Sequence, residues 1–246
     1  RVASCLGLRG GPVAGCSADC SSAMGALQSA VDAMRLGRCD VAVVGGVHLL
    51  LTPDTHTQRS QMGLLSKAAG HHMLGEGCGV LVLRRLGHAE ADGNPVLALV
   101  GSVACSSLGG QRLEEAGARD RLRGLAQQAL AEARCPSDLV TYLELSGTGR
   151  PREDARELRC LADVFRPAAP QQDDDDAMDQ EGGGQGSSLS VGCIKASLGH
   201  LDAASGMAGL LKALLVLQHN GKAPPQHGLG SLAAHLDKHK DEAELA

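Results

Sequence analysis

Aromatic residues are almost absent from this chain: Tyr142 and Phe165 stand alone, and there is no Trp in 246 residues. A core built from such a sequence is aliphatic, and stacking platforms for single-stranded nucleic acid or sugars are not expected. No apolar run approaches the ~18 residues needed to span a bilayer. No basic stripe is present either. The net charge of −5 comes from Asp173, Asp174, Asp175, Asp176, Asp179 and Glu181, which lie together without Lys or Arg; the rest is nearly neutral. A nucleic-acid partner is therefore not expected. The nine cysteines form no C-x-x-C pair, and their number is odd and their spacing irregular. Neither a disulfide framework nor a zinc site is supported. Most are expected to be small buried hydrophobes in a reducing compartment, which points to the cytoplasm.

What is abundant is glycine, 33 of 246, about twice the usual share. It follows no G-X-Y period, so collagen is excluded. It punctuates apolar runs instead, giving an alternation of strand and helix. Ala23, Leu27, Ala30, Val31 and Met34 mark one face of a helix that Gly37 stops. Asp40 to Val47 reads as a strand buried on both faces. Gly79 to Leu86 and Val96 to Val103 read as two more strands. A second block comes next: a helix from Arg119 to Arg134, a strand from Leu139 to Leu145 and a helix from Asp154 to Val164. A strand from Leu189 to Ile194 precedes a helix from Ala203 to Leu217, with Met207, Leu210, Leu211, Leu214 and Leu215 inward. Residues 171–188 are too acidic and too poor in apolar side chains to order themselves, and read as a disordered insertion. Val13–Ala30 and Val191–Leu210 echo each other: each runs through a turn bearing a reactive side chain into a helix of small residues. That suggests a duplicated α/β unit.

Three places could carry chemistry. Cys20 precedes Ser21 and Ser22 at the opening of a helix, where the dipole and free N–H groups favour a thiolate; a lone cysteine is, however, more often structural, and Cys16 fits that better. His200, in Lys195-Ala196-Ser197-Leu198-Gly199-His200, could donate a hydrogen bond to a developing oxyanion, and Lys195 could orient a carboxylate. Ser146-Gly147-Thr148-Gly149 follows a strand end and lets backbone approach a ligand closely, but no G-K-[ST] follows for a phosphate loop. His71-His72 and the His235/His239 pair lack a third metal ligand nearby.

These motifs resemble the β-ketoacyl synthase (ketosynthase) domain of polyketide and fatty acid synthases. Cys16 to Ser22 is similar to the nucleophile segment D-T-A-C-S-S, and Asp40 to Ser66 is similar to the family segment that comes next along the chain. Gly75 to Gly79 matches the G-E-G-C/A-G turn. Glu144 to Gly149 matches E-A-H-G-T-G, and Asp154 and Glu157 fit the G-D-P-I-E beyond it. Cys193 to Gly206 matches V-K-S-N-I-G-H-L-E-A-A-A-G. Thiolases share the fold but not this Lys–His segment. The resemblance implies an α/β, thiolase-like fold of two related halves, residues 1–95 with the nucleophile and residues 96–246 after it. It also implies a homodimer. Cys20 would take an acyl chain from a carrier-protein thioester. His200, with Lys195 in support, would assist decarboxylation of a malonyl unit whose enolate attacks the acyl-cysteine. The domain would need no cofactor of its own, its substrates riding on the phosphopantetheine of an acyl carrier protein.

Four departures qualify this expectation. Ser146 stands where the family has its first histidine, and a hydroxyl cannot replace an imidazole; losing such a group costs ~10²–10⁴ in rate. The P-F-D stretch is missing between Ser66 and Gly75. The acidic insertion is foreign. The leading β/α units and the closing G-F-G-G-T-N-A-H segment are absent, so the chain is expected to be a partial domain. The expected function is thus a condensing ketosynthase impaired at Ser146. The alternatives are a non-elongating acyl-transfer ketosynthase and a non-catalytic dimer scaffold within a multidomain synthase.

Overall fold

The computed structural model describes residues 2–61, 73–107, 109, 115–165, 189–224 and 244–245. The acidic stretch 171–188 and the His71-His72 and His235/His239 pairs lie outside the described residues.

A short helix, α1 (Val2–Cys5), leads to α2 (Ser22–Arg35). Ala23, Leu27 and Met34 are buried along α2 as its 3.6-residue period requires. Gly37, at φ +70°, ends it: the Gly37 N–H donates to the Met34 carbonyl and the Arg38 N–H to that of Ala33. That left-handed cap favours glycine. Next come β1 (Val41–His48), α3 (Pro53–Gln61), β2 (Gly77–Arg84) and α4 (Leu86–Ala91). β1 and β2 pair antiparallel, Val44 opposite Leu81 and Gly46 opposite Gly79. β1 is not buried on both faces. Val44 and Gly46 point into the core, whereas Val41, Val43 and Val47, with Val80 and Val82 of β2, are exposed. Among the described residues only one face of this sheet packs on helices, α2 and the later α8 (Ser205–Gln218).

Val96 to Val103 is not a strand. Among the described residues the segment joins no ladder, and Val96, Leu97, Leu99 and Val100 are exposed. An apolar run becomes a strand only where a partner edge satisfies its backbone groups. The second block does alternate as expected: α5 (Ala116–Ala133), β3 (Tyr142–Glu144), α6 (Pro151–Phe165), β4 (Ser190–Gly192), the single-turn α7 (Lys195–Leu198) and α8. Pro151 at the first helical position of α6 suits a residue without an N–H. β3 and β4 are parallel, and β4 pairs in parallel with a two-residue β5 (Glu244–Leu245). β3 and β4 are shorter than the sequence suggests; Ser137–Leu139 is a 3₁₀ turn.

Two apolar clusters form the core. Ala23, Leu27, Val44 and Met207 join α2, β1 and α8. Leu158, Val164, Phe165, Leu189 and Val191 join α6 to β4. In α8 the expected inward face is shifted: Leu215 is 54% exposed, and Lys212 is buried in its place. The cysteines also depart from expectation. Cys160 is buried, but Cys5, Cys16, Cys20, Cys78 and Cys105 are exposed, because they sit on the short helix α1, which buries none of its residues, in turns or loops, or on the open face of β2. No helix among the described residues is long and apolar enough to cross a membrane.

Candidate active site

The chemistry-bearing residues fall into two groups. The first surrounds the turn after β3. Gly147 (φ +53°) and Gly149 (φ +74°) take the left-handed conformation that this tight turn needs. Ser146 is exposed, and the turn is held from behind by a buried carboxylate. The Ser146 N–H donates to Glu157 Oε1 at 2.7 Å and the Gly147 N–H to Glu157 Oε2 at 3.1 Å. Lys195, 8% exposed, donates from Nζ to the Gly147 carbonyl at 3.1 Å. Burial raises the Glu157 carboxyl above the usual range; the two N–H groups and the Lys195 charge pull it back, and Asp154 adds to the rise. Asp154 Oδ1 in turn accepts from the Thr148 N–H at 2.6 Å and from its hydroxyl at 2.8 Å. Cys193 Sγ faces the Ser146 carbonyl at 3.7 Å. Burial pushes its thiol up to about 11, against the opposing pull of the Lys195 N–H and charge; a group so held is protonated at neutral pH and a poor nucleophile.

A second carboxylate, on β3 itself, braces the turn after β4. Glu144 accepts from the Ile194 N–H and the Tyr142 hydroxyl, and pairs with Lys212 Nζ at 3.1 Å. The Lys212 ammonium lies 5.7 Å from the Tyr142 ring centre. This explains why a lysine is buried on α8: its charge is paired and stacked. Gly209 opposite it admits Glu144, since a Cβ there would sit 3.1 Å from Glu144 Cγ. Desolvation and the Glu144 hydrogen bond push the Tyr142 phenol up, so it stays a donor.

The second group carries Cys20 and His200. Cys20 is exposed, two residues before α2. Its turn is tied by Ser22, whose Oγ donates to the Asp19 carbonyl at 2.7 Å and accepts the Ala18 N–H at 2.9 Å. His200 Nδ1 lies 3.0 Å from Ser205 Oγ, a pairing in which the tautomer sets which one donates. The His200 backbone is fixed against residues 73–75: its N–H donates to the Met73 carbonyl at 2.6 Å, and its carbonyl accepts the Gly75 N–H at 3.0 Å. Gly75 and Gly199 make that approach possible. A Cβ on Gly75 would run into the Leu198 carbonyl, and one on Gly199 would sit 2.7 Å from the Met73 oxygen.

The starts of α2 and α8 are stacked over β1. A Cβ on Gly46 would lie 3.1 Å from Ala23 Cβ, 3.3 Å from Ala204 Cα and 3.3 Å from Met207 Cβ, and one on Gly206 would lie 2.7 Å from Met24 Cγ. Two glycines, Gly46 and Gly206, thus bring the segments bearing Cys20 and His200 together. Sequence reasoning missed Glu144's bracing role and Lys212; each acts through a partner distant in sequence. A cavity of about 320 Å³ lined by Glu76, Cys78, Cys193, Leu198, Leu201 and Leu211 lies between β2, α7 and α8. Cys20, Lys195 and His200 are not among its walls.

The family description "Beta-ketoacyl synthase, N-terminal domain" matches residues 1–89, and "Beta-ketoacyl synthase, C-terminal domain" matches residues 97–229. The chain is 36% identical over 246 residues to a 6-methylsalicylic acid synthase of Aspergillus niger, covering 94% of this chain and 13% of that protein. It is 36% identical over 233 residues to an erythronolide synthase of Saccharopolyspora erythraea, covering 91% and 7%. It is 33% identical over 255 residues to a phenolphthiocerol/phthiocerol polyketide synthase subunit of Mycobacterium tuberculosis, covering 100% and 11%. Among solved structures it is similar to an oxazolomycin ketosynthase domain of Streptomyces albus, with TM-score 0.82, 30% identity, and 100% of this chain against 42% of that one. It is also similar to a ketosynthase from module 6 of the bacillaene synthase of Bacillus subtilis, with TM-score 0.74, 26% identity, and 88% against 38%. The chain therefore spans less than a seventh of these curated relatives and about two fifths of these solved domains.

Proposed function

We propose, from the premise that this chain belongs to the β-ketoacyl synthase family, that Cys20 accepts an acyl chain from a carrier-protein thioester and that condensation with a malonyl unit is slow because Ser146 stands at the first histidine's position. The fold is that of the thiolase-like ketosynthases, and the relatives are polyketide synthases.

The two steps differ in what they need. In loading, the Cys20 thiolate attacks the thioester carbonyl, the oxygen becomes an oxyanion, and the carrier thiol leaves. In condensation, malonyl loses CO2, the enolate carbon attacks the acyl-Cys20 carbonyl, and the Cys20 thiolate is released. His200 would donate to the enolate oxygen, held by Ser205. Lys195 and Glu157 act on the Ser146 turn rather than on substrate, holding its backbone in place. The observation that carries the reading is this intact scaffold: the turn, its buried carboxylate and its lysine are all in place around a side chain that cannot act as an imidazole. Ser146→His should raise malonyl condensation by ~10²-fold while leaving acyl loading unchanged, as read by β-ketoacyl product and by intact mass. No gain in product would sink the claim that Ser146 limits the reaction.

The same geometry favours one second reading, a non-elongating domain that loads and passes on acyl chains. A carrier protein as acyl donor and a second copy as dimer partner belong to this proposal. A pure scaffold would not need the Lys195–Gly147 hydrogen bond or the paired His200.

A further inference from the structure

Two aspartates adopt a backbone conformation that side-chain-bearing residues avoid: Asp19 at φ +44° and Asp202 at φ +42°. They occupy matching places. Asp19 lies three residues before Ser22, and Asp202 three before Ser205, and each serine opens a fourteen-residue helix. One aspartate immediately precedes Cys20; the other follows His200 by two residues. Strain of this kind persists only where the surroundings hold it; both carboxylates turn toward one guanidinium, Asp202 in a close pair and Asp19, its side chain 87% exposed, at the outer edge of ion-pair range. Arg59 Nη2 lies 2.5 Å from Asp202 Oδ2 and 4.0 Å from Asp19 Oδ1. Arg59 and Asp202 side chains are 20% and 13% exposed, so their pair is shielded from solvent. The other Asp202 oxygen is buried with no hydrogen-bond partner among the described residues. Arg59 reaches in from α3, a helix that buries none of its own residues.

We propose that Arg59 is a positioning residue that fixes the Cys20 turn against the His200 turn, a role resting on the reading of Cys20 and His200 above. It touches no reacting atom. A single positive charge, carried by Nη2, faces carboxylates on both segments, and so sets the spacing between thiol and imidazole. A spacing error of order 1 Å costs ~10²-fold in rate.

The test is 1,3-dibromoacetone, a three-carbon reagent that bridges a thiol and an imidazole only when they are close, applied to the full-length protein and read by peptide mass mapping. Wild type should yield a Cys20–His200 bridge. Arg59→Lys, which keeps the charge, should retain it. Arg59→Met and Asp202→Asn should give singly alkylated Cys20 with the bridge reduced about five-fold or more. A wild-type bridge yield in Arg59→Met, or in Asp202→Asn should Arg59→Met not fold, overturns the proposal, as does the lack of a bridge in wild type. Wild type that bridges but takes no acyl group would defeat the functional reading and leave the positioning role standing.

Discussion

Gly46 offers the sharpest test of how the two halves of the site are held together. Its absent side chain is what lets α2 and α8 meet over β1. Gly46→Ala places a methyl 3.1 Å from Ala23 Cβ, 3.3 Å from Ala204 Cα and 3.3 Å from Met207 Cβ. Carbon atoms prefer ~3.5–4.0 Å, so three neighbours on separate elements must each retreat by a few tenths of an ångström. Overpacking of this kind costs about 1–3 kcal/mol. Against it stands the reduced freedom of the unfolded chain, worth about 0.4–1 kcal/mol. The packing effect wins, and the expected net loss is about 1–2 kcal/mol by urea unfolding. Because the displaced residues adjoin the Cys20 and His200 segments, acyl loading should slow as well. Gly124→Ala on α5 is the control: a Cβ there meets nothing within 4 Å, so the helix should gain about 0.5–1 kcal/mol. A Gly46→Ala protein as stable as wild type, beside a stabilised Gly124→Ala, would refute the close-packing argument.

The Glu157 carboxyl gives a pH dependence with a definite sign. Its folded value is raised above the ordinary 4.5 by burial, so the folded state holds the proton to higher pH than the unfolded one; this contribution is full below 4.5 and is lost as pH rises through the folded value. Wild type should therefore lose thermal stability relative to Glu157→Gln as pH rises from 4.5, and a pH-independent difference would contradict it. Lys195→Met should cost about 1–3 kcal/mol, since it removes the donor to Gly147 and the cation beside Glu157; a loss under about 0.5 kcal/mol in denaturant unfolding would contradict a buried, working pair.

Much of this arrangement was readable from local chemistry. Gly37 marks the end of α2 because a left-handed cap leaves few alternatives, and the Gly147 and Gly149 turn announced itself in the same way. The echo between residues 13–30 and 191–210 reappears as two serine-led helices with strained aspartates ahead of them. What escaped was set by partners far along the chain. Val96 to Val103 has the composition of a strand, but composition cannot supply an edge to pair with. β1 is apolar on both sides, yet among the described residues helices cover only one. Lys212 carries no local signal of its burial, because Glu144, which neutralises it, lies far earlier in the chain, on β3. Arg59 carries no local signal at all; its partner Asp202 lies 143 positions away.

The central claim is that Cys20 is a working nucleophile. The most direct test is to incubate the full-length protein with an acyl-pantetheine thioester, then measure intact mass and map the peptides. An acyl adduct on Cys20 that disappears in Cys20→Ala is the predicted result. Folded protein that stays unmodified at Cys20, or carries its adduct on another cysteine such as Cys16, would contradict it.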